Sequence, residues 1–340
     1  MKKMVILSSI AGALLMSGCV STEEKGTEEG SEQKAIQEHT KEYTFPLTGK
    51  PVKEQPEQRA VAVVINNHPK ARPQTGLAEA DIVYEVLTEG NITRFLAIYQ
   101  SSQPEKAGPV RSARTYFIDL ARGYDSLFIA HGYSPNARER LFSGEVEELN
   151  GIQYDGTAFE RDPSRQAPHN SYIDFAQVFD KAEQRGYHIT GAPDPLSFAR
   201  VSQSAEGEAE AVRINYSSHP DFQVEYKYNA KTGEYERFSG GKQQFDRETD
   251  QPLSASNLLI IEAEHRLVDG QGRLDIDVSS GGKAYFLQGG AAYLADWSNV
   301  EGRILPFKDG APISFAEGKT WIHVIPASKG LNQMVDVKDN

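Results

Sequence analysis

Cysteine is almost missing from this chain. Cys19 is the one cysteine in 340 residues, so an intramolecular disulfide is excluded. A chain without disulfides must be held by its core alone, and one of this length can bury enough surface to do that. A membrane-spanning run is lacking as well. The apolar stretch from Val5 to Met16 is interrupted by Ser8, Ser9 and Gly12, and it falls short of the roughly 20 apolar residues that a spanning helix needs. Basic residues are outnumbered, 36 Lys and Arg against 48 Asp and Glu, for a net charge of −12. That balance argues against nucleic acid as a partner and against attraction to anionic lipid or wall polymer through net charge. Any anion site must therefore be local. The histidines show neither H-x-x-x-H nor H-E-x-x-H spacing, and cysteine ligands are absent, so no metal centre is expected. No Walker A, G-x-S-x-G or G-x-G-x-x-G pattern stands in a supporting context, and no cofactor is expected.

What is present begins at the N-terminus. Lys2 and Lys3 precede the apolar stretch, which ends in Met16-Ser17-Gly18-Cys19. A basic start, a short apolar centre and small residues before the end are the parts of a secretory signal peptide. The ending resembles the lipobox of bacterial lipoproteins, with Met16 where Leu is usual. That resemblance implies that residues 1–18 are removed and that Cys19 carries lipid, palmitate among its acyl chains. An anchored protein on the extracytoplasmic face of the cell membrane is the expectation. Losing Lys2 and Lys3 takes the net charge from −12 to −14. Residues 19–44 are rich in Ser, Thr, Glu, Lys, Gly and Gln, the composition of a disordered tether.

The rest reads as two domains. Residues 45–195 are expected to be α/β. Val61 to Ile65 is a continuous apolar run, as in a strand buried on both faces. Ile82 to Leu87, Phe95 to Tyr99 and Leu127 to Ala130 are further strands. Helical patterns interleave at Tyr116 to Tyr124, at Asn136 to Phe142 after Pro135, and at 172–185, where Ser171 is the expected N-cap and Asp174 its reciprocal acid. Turn chemistry at Gly191 to Pro195 and a polar, acidic run from Ser202 to Glu210 suggest a hinge. Residues 211–330 carry short β-rich runs separated by Gly and Asp turns, which predicts an all-β domain, a sandwich or barrel. Trp297 and Trp321 suit its core better than a carbohydrate-stacking surface.

Candidate chemistry gathers where strands end. Gly108 to Arg114, His131 to Ser134 and Pro168 to Ser171 each lead from a strand towards a helix, and in an α/β fold such loops meet at the carboxyl edge of the sheet. Helix N-termini offer bare N–H groups there. Arg94, Arg111 and Arg114 could grip phosphate or carboxylate, and His131 and His169 could supply proton transfer or hydrogen bonds. Asn170 and Ser171 belong to the same loops, and Asn66 and His68 follow the first strand. The bland alternatives are pairing of Arg111 and Arg114 with acids such as Asp119 or Glu85, His131 as a satisfied core histidine, and a His169 that only orders its loop. Asp81, Val83, Glu85 and Leu87 share one face of a strand, so an acid there could point towards the cleft, a weak general-base candidate.

Several of these segments together resemble one family. Arg59 to Asn67, Ala71 to Leu77, Ala80 to Glu85, Ile92 to Phe95, Gly108 to Arg114 and Pro168 to Tyr172 are similar to the first part of the YerB family of Bacillus lipoproteins. Asp246 to Thr249, Asp275 to Asp277, Gly282-Lys283 and Gly318 to Ile322 are similar to its second part. The resemblance spans nearly all of residues 45–330 and implies an address and a two-part architecture, not an activity. The stretch Phe95 to Arg114 has a looser similarity to LytR-type phosphotransferases, but no Asp follows Arg114 as in their S-I-P-R-D signature. It hints at ligand type only. The leading expectation is a non-catalytic, lipid-anchored envelope protein that binds an anionic ligand or an envelope protein through its first domain. The rivals are an extracytoplasmic hydrolase or transferase acting on phosphate- or sugar-containing envelope material, and a structural adaptor for membrane or wall proteins.

Overall fold

The computed structural model describes residues 42–200 and 209–338. The signal segment 1–18, Cys19 and the tether through residue 41 lie outside the described residues, as does most of the acidic run at 202–210. Regular structure starts slightly before Phe45, because Tyr43–Thr44 pairs with Pro51–Val52.

Alternating side chains on apolar strands create two faces to be covered, and an 11-stranded sheet does this here. Its centre is Asn257–Ala263, Thr320–Pro326, Ile82–Leu87, Thr93–Tyr99 and Val61–Asn66, side by side in that order. Leu127–Ala130 and Glu148–Asn150 extend one side, and Gly282–Gln288, Ala291–Val300, Arg303–Lys308 and Ala311–Pro312 the other. On one face Val61, Val63, Phe95, Ala97, Leu258, Ile260 and Trp321 meet Phe175, Val178 and Ala182 of the helix Phe175–Gln184, and meet Val212, Ile214, Val224 and Tyr226 of a second, smaller sheet. On the other face Ala62, Val64, Ile82, Tyr84, Leu96, Leu259, Ile322 and Val324 meet Tyr116, Phe117 and Leu120 of Thr115–Arg122, and Ala137 and Leu141 of Pro135–Phe142. Three layers result.

Strands thus predominate over helices in a mixed fold. The predicted strands of the first part form, but Thr93–Tyr99 runs antiparallel to both its neighbours, so this is not a simple parallel α/β sheet. The predicted strands of the second part do not close on themselves. Asn257–Ala263 and Thr320–Pro326 are parallel partners, and Thr320–Pro326 pairs in parallel with Ile82–Leu87. One sheet therefore runs through both parts, which belong to one compact unit.

The helix expected over 172–185 is shorter. Ser171–Asp174 is a strand, antiparallel to Phe159–Arg161 and to Lys106–Ala107. Asp174 is the N-cap instead, its carboxylate accepting from the Gln177 N–H at 3.0 Å. Tyr172 and Ile173 gain ladder hydrogen bonds in this arrangement, which outweighs one more helical turn.

Candidate functional site

The edge predicted to gather the loops exists. Val61–Asn66 and Leu127–Ala130 are parallel only over Val61 to Val63. Beyond that point they part, and residues 109–113 enter the opening. The Asn66 N–H donates to the Pro109 carbonyl at 2.8 Å and the Arg111 N–H to Val64 at 2.8 Å on one side. On the other, the His131 N–H donates to the Arg111 carbonyl at 3.0 Å and the Ala113 N–H to Gly132 at 3.0 Å. Arg111 is thereby fixed between the ends of two strands, half-buried. One of its guanidinium nitrogens donates to the Pro168 carbonyl at 3.0 Å. Its Nε is buried without a partner, and no carboxylate forms an ion pair with it among the described residues.

Two imidazoles share this corner. His68 and His169 stack, ring centroids 4.8 Å apart and 27° from parallel. Their tautomers follow from their neighbours. The Lys70 N–H donates to His68 Nδ1 at 3.1 Å, so the proton of neutral His68 is on Nε2. Asn66 Oδ1 accepts from the His68 N–H at 2.9 Å, which turns the Asn66 amide nitrogen towards His169 Nδ1 at 2.8 Å. His169 Nδ1 then accepts and its proton too is on Nε2. Neither Nε2–H has a partner among the described residues. Both imidazoles are held below their ordinary pKa, by burial first and then by surrounding positive charge that includes Arg111. Arg165 ties the two loops together, donating to the Ala71 and Pro73 carbonyls at 2.6 Å each.

His131 is placed differently. Arg161 can only donate, so at 3.1 Å it makes His131 Nε2 an acceptor, and Nδ1–H donates to Ser171 Oγ at 2.7 Å. Both ring nitrogens are used, and Ser171 is 2% exposed. The ring lies edge-on to Phe159 and is packed so closely by Gly151 that a Cβ there would overlap it. Its pKa is lowered by burial, then by Arg161. Arg161 is anchored bidentately by Asp155 and donates to Asn170 Oδ1 at 3.2 Å. His131, Asn170 and Ser171 are therefore supports for the corner, and the proton-transfer role expected of His131 has no free nitrogen to perform it.

Arg94 and Arg114, expected to grip phosphate or carboxylate, are committed inside the protein instead. Both are buried and both pair with Glu89, Arg94 at 3.0 Å, and each also donates to a carbonyl, Ser112 and Ala113 respectively. Burial alone would raise the Glu89 pKa, but the two guanidinium groups hold it below its ordinary value. These arginines fasten the Thr88–Asn91 turn to the edge and are not free for a ligand.

Two family models match the chain. "Protein of unknown function (DUF3048) N-terminal domain" matches residues 47–188 and the C-terminal domain of the same family residues 212–322. The Bacillus subtilis (strain 168) protein named "Putative lipoprotein YerB" is 46% identical over 294 residues, 86% of this chain and 89% of that protein. The chain belongs to the YerB family. The crystal structure of YerB protein from Bacillus subtilis agrees with the fold at a TM-score of 0.81, with 45% identity over 87% of this chain and 99% of that one. Within this YerB-family chain the whole corner, from Asn66 to Ser171, falls inside the N-terminal match.

Sequence reasoning missed a second polar cluster that joins the two family parts. Glu85, 1% exposed, accepts from Asn67 at 3.0 Å, Thr93 at 2.8 Å and Arg237 at 2.9 Å. Arg237 lies on the smaller sheet and packs over Trp321 at 4.8 Å. His323, wholly buried, holds the Tyr216 hydroxyl at 3.0 Å and the Tyr226 hydroxyl at 2.9 Å. Burial, then Arg237, pushes its pKa well down. Glu85 is thus a buried ion-pair partner, and Asp81, equally buried, accepts from the Gln100 N–H at 2.7 Å, the Ser101 N–H at 2.8 Å and the Ser101 hydroxyl, which removes the general-base reading from both. An acid, an arginine and a histidine as far apart as Glu85, Arg237 and His323 carry no local signal of this cluster. The two tryptophans are buried, and neither makes a carbohydrate platform.

Proposed function

We propose that this protein is a lipid-anchored extracytoplasmic protein that binds an anionic ligand, through oxygen atoms of a phosphate or carboxylate, at Arg111, His68 and His169. The observation that carries the site is Arg111: a positive side chain fixed by backbone on both flanks, free of carboxylates, beside two imidazoles that each present an unused Nε2–H. An oxyanion accepts from guanidinium and imidazole donors together, and such charge-assisted bonds are the strong ones. The surrounding chain is acidic, so the positive corner is a local exception. The ligand would be an anionic envelope component or an acidic segment of an envelope protein.

The pH dependence has a definite sign. A bound anion favours the imidazolium forms of His68 and His169, so binding takes up protons and strengthens as pH falls below the ordinary histidine value of about 6.5. Titration calorimetry with inorganic pyrophosphate at pH 5.5 and 7.5 should show tighter binding at the lower pH. Loss of a charged donor in Arg111→Ala should weaken binding about tenfold or more, while Arg122→Ala, on another face, should not. Binding unchanged in Arg111→Ala would sink the site.

The address rests on Met16 to Cys19 and on the name carried by the Bacillus subtilis relative. Labelled palmitate should enter the intact chain and not Cys19→Ser, which should leave the membrane fraction. Membrane retention and label in Cys19→Ser would defeat the anchor without touching the anion site.

A further inference from the structure

On a different part of the surface lies a cavity of opposite charge, about 400 Å³ in volume. It is bounded by Thr75 and Gly76, by Glu79, by Pro104 to Lys106, and by Asp246, Glu248 and Thr249. Its inner wall is buried: Asp246 and Thr75 are each 1% exposed, while Glu105 and Glu248 are exposed at its outer part. Four carboxyl groups, Glu79, Glu105, Asp246 and Glu248, face one lysine. That lysine is already engaged, Lys106 Nζ donating to Glu160 at 3.1 Å. The next nearest cation, Lys319, donates to the Ala78 carbonyl, and Arg247 turns to Asp162 at 2.5 Å. Asp246 is held by N–H groups, from Ala78 at 3.3 Å and Glu248 at 3.1 Å, so its charge is oriented but not neutralised.

An independent feature points to a ligand that brings hydrogen-bonding groups. The Thr75 hydroxyl is buried in the cavity wall without a partner, although its backbone is fully used in pairing with Gly108. The Tyr99 hydroxyl is also buried without a partner, close enough to Asp246 and Glu79 to feel their charges. Burial and Asp246 raise the pKa of Glu79, the condition of a carboxylate short of counter-charge. Among the described residues no three His, Cys, Asp or Glu side chains are arranged to hold a metal ion. An organic ammonium fits better, with three N–H donors for carboxylate and hydroxyl oxygens and a carbon stem to occupy the volume beside Pro104.

We infer that this cavity is a second binding site, for a primary ammonium group on a short chain. Its components come from both family parts, residues 75–106 and 246–249, so it exists only in the joined fold. Titration calorimetry of the full chain with 1,4-diaminobutane tests it, with magnesium chloride and sodium acetate as parallel titrants. Binding is expected for the diamine and not for the other two, and it should weaken about tenfold in Glu79→Gln, where one charged acceptor becomes neutral. It should weaken less in Glu248→Gln at the exposed rim, and not at all in Arg111→Ala, which keeps this result separate from the anion site. Affinity should fall as pH drops and Glu79 takes up a proton. Absence of diamine binding, equal binding in Glu79→Gln, or saturation by magnesium instead would overturn the inference. Circular dichroism of each variant confirms that it is folded.

Discussion

At the scale of single residues, the decisive question for every charged group is which partner the backbone brings within reach. Arg94, Arg111 and Arg114 have the same side chain and lie within 21 positions of one another, yet two are committed to Glu89 and one is not. His68, His131, His169 and His323 likewise divide by partner, and all four are held below the ordinary value by burial first. The sign of the stability effect follows. In the unfolded chain each imidazole takes up its proton near pH 6.5, whereas the folded form resists it. Below that value the unfolded state therefore binds more protons, and stability falls as pH drops towards the folded-state values, by up to about 1.4 kcal/mol per pH unit for the wholly buried His323 and by much less for the partly solvated His68, His131 and His169. His323 is the most deeply buried of them, so His323→Gln should flatten the fall in urea midpoint between pH 7 and pH 5. An unchanged slope would show that His323 is not a source of acid sensitivity.

At the scale of elements, competition between strand and helix decides Ser171 to Asp174. The helical pattern over 172–185 is real in its apolar spacing, but Tyr172 finds a ladder partner in Glu160 and Ile173 finds partners on both sides, and the helix starts three residues late. Its cap is Asp174. Replacing that carboxylate by Ala should cost about 1 kcal/mol in urea denaturation, and Asp174→Asn should restore most of the loss because Asn also accepts from an N–H. Equal losses in both variants would count against the cap. The delayed start has a consequence for the site: as a strand residue, Ser171 places its hydroxyl on His131 and its carbonyl on the Val110 N–H at 2.6 Å, which draws the 168–171 loop onto Arg111.

At the scale of the molecule, the two family parts share one sheet. Ile82–Leu87 is buried at all six positions, covered on one edge by Thr320–Pro326. Residues 42–195 produced alone would leave that edge bare and apolar, a template for aggregation. This fragment should lack a cooperative thermal transition and near-ultraviolet dichroism, whereas the full chain should melt in one step. A cooperatively folded fragment would contradict the shared core. The Glu85–Arg237 pair and the Tyr216 hydroxyl's donation to the Glu85 carbonyl at 3.4 Å cross the same junction, and a buried charge left without its partner adds several kcal/mol to the cost of parting the two.

The sequence by itself determined the strands of the central sheet, since four or five apolar residues in a row, as in Val61 to Ile65, Phe95 to Tyr99 and Leu258 to Ile261, have few other ways to be buried. It also determined, among the described residues, the positions of two of the three longer helices and the neighbourhood of loops around Asn66, Arg111, His131 and His169. Those are matters of local pattern. Only the tertiary structure decided that the sheet crosses both family parts, that Arg94 and Arg114 belong to Glu89 while Arg111 stays free, and that His131 is occupied while His68 presents a donor. Pairing of charges depends on distances between residues far apart in the chain, and the same side chain is a ligand group or an internal strut according to which backbone lies across from it.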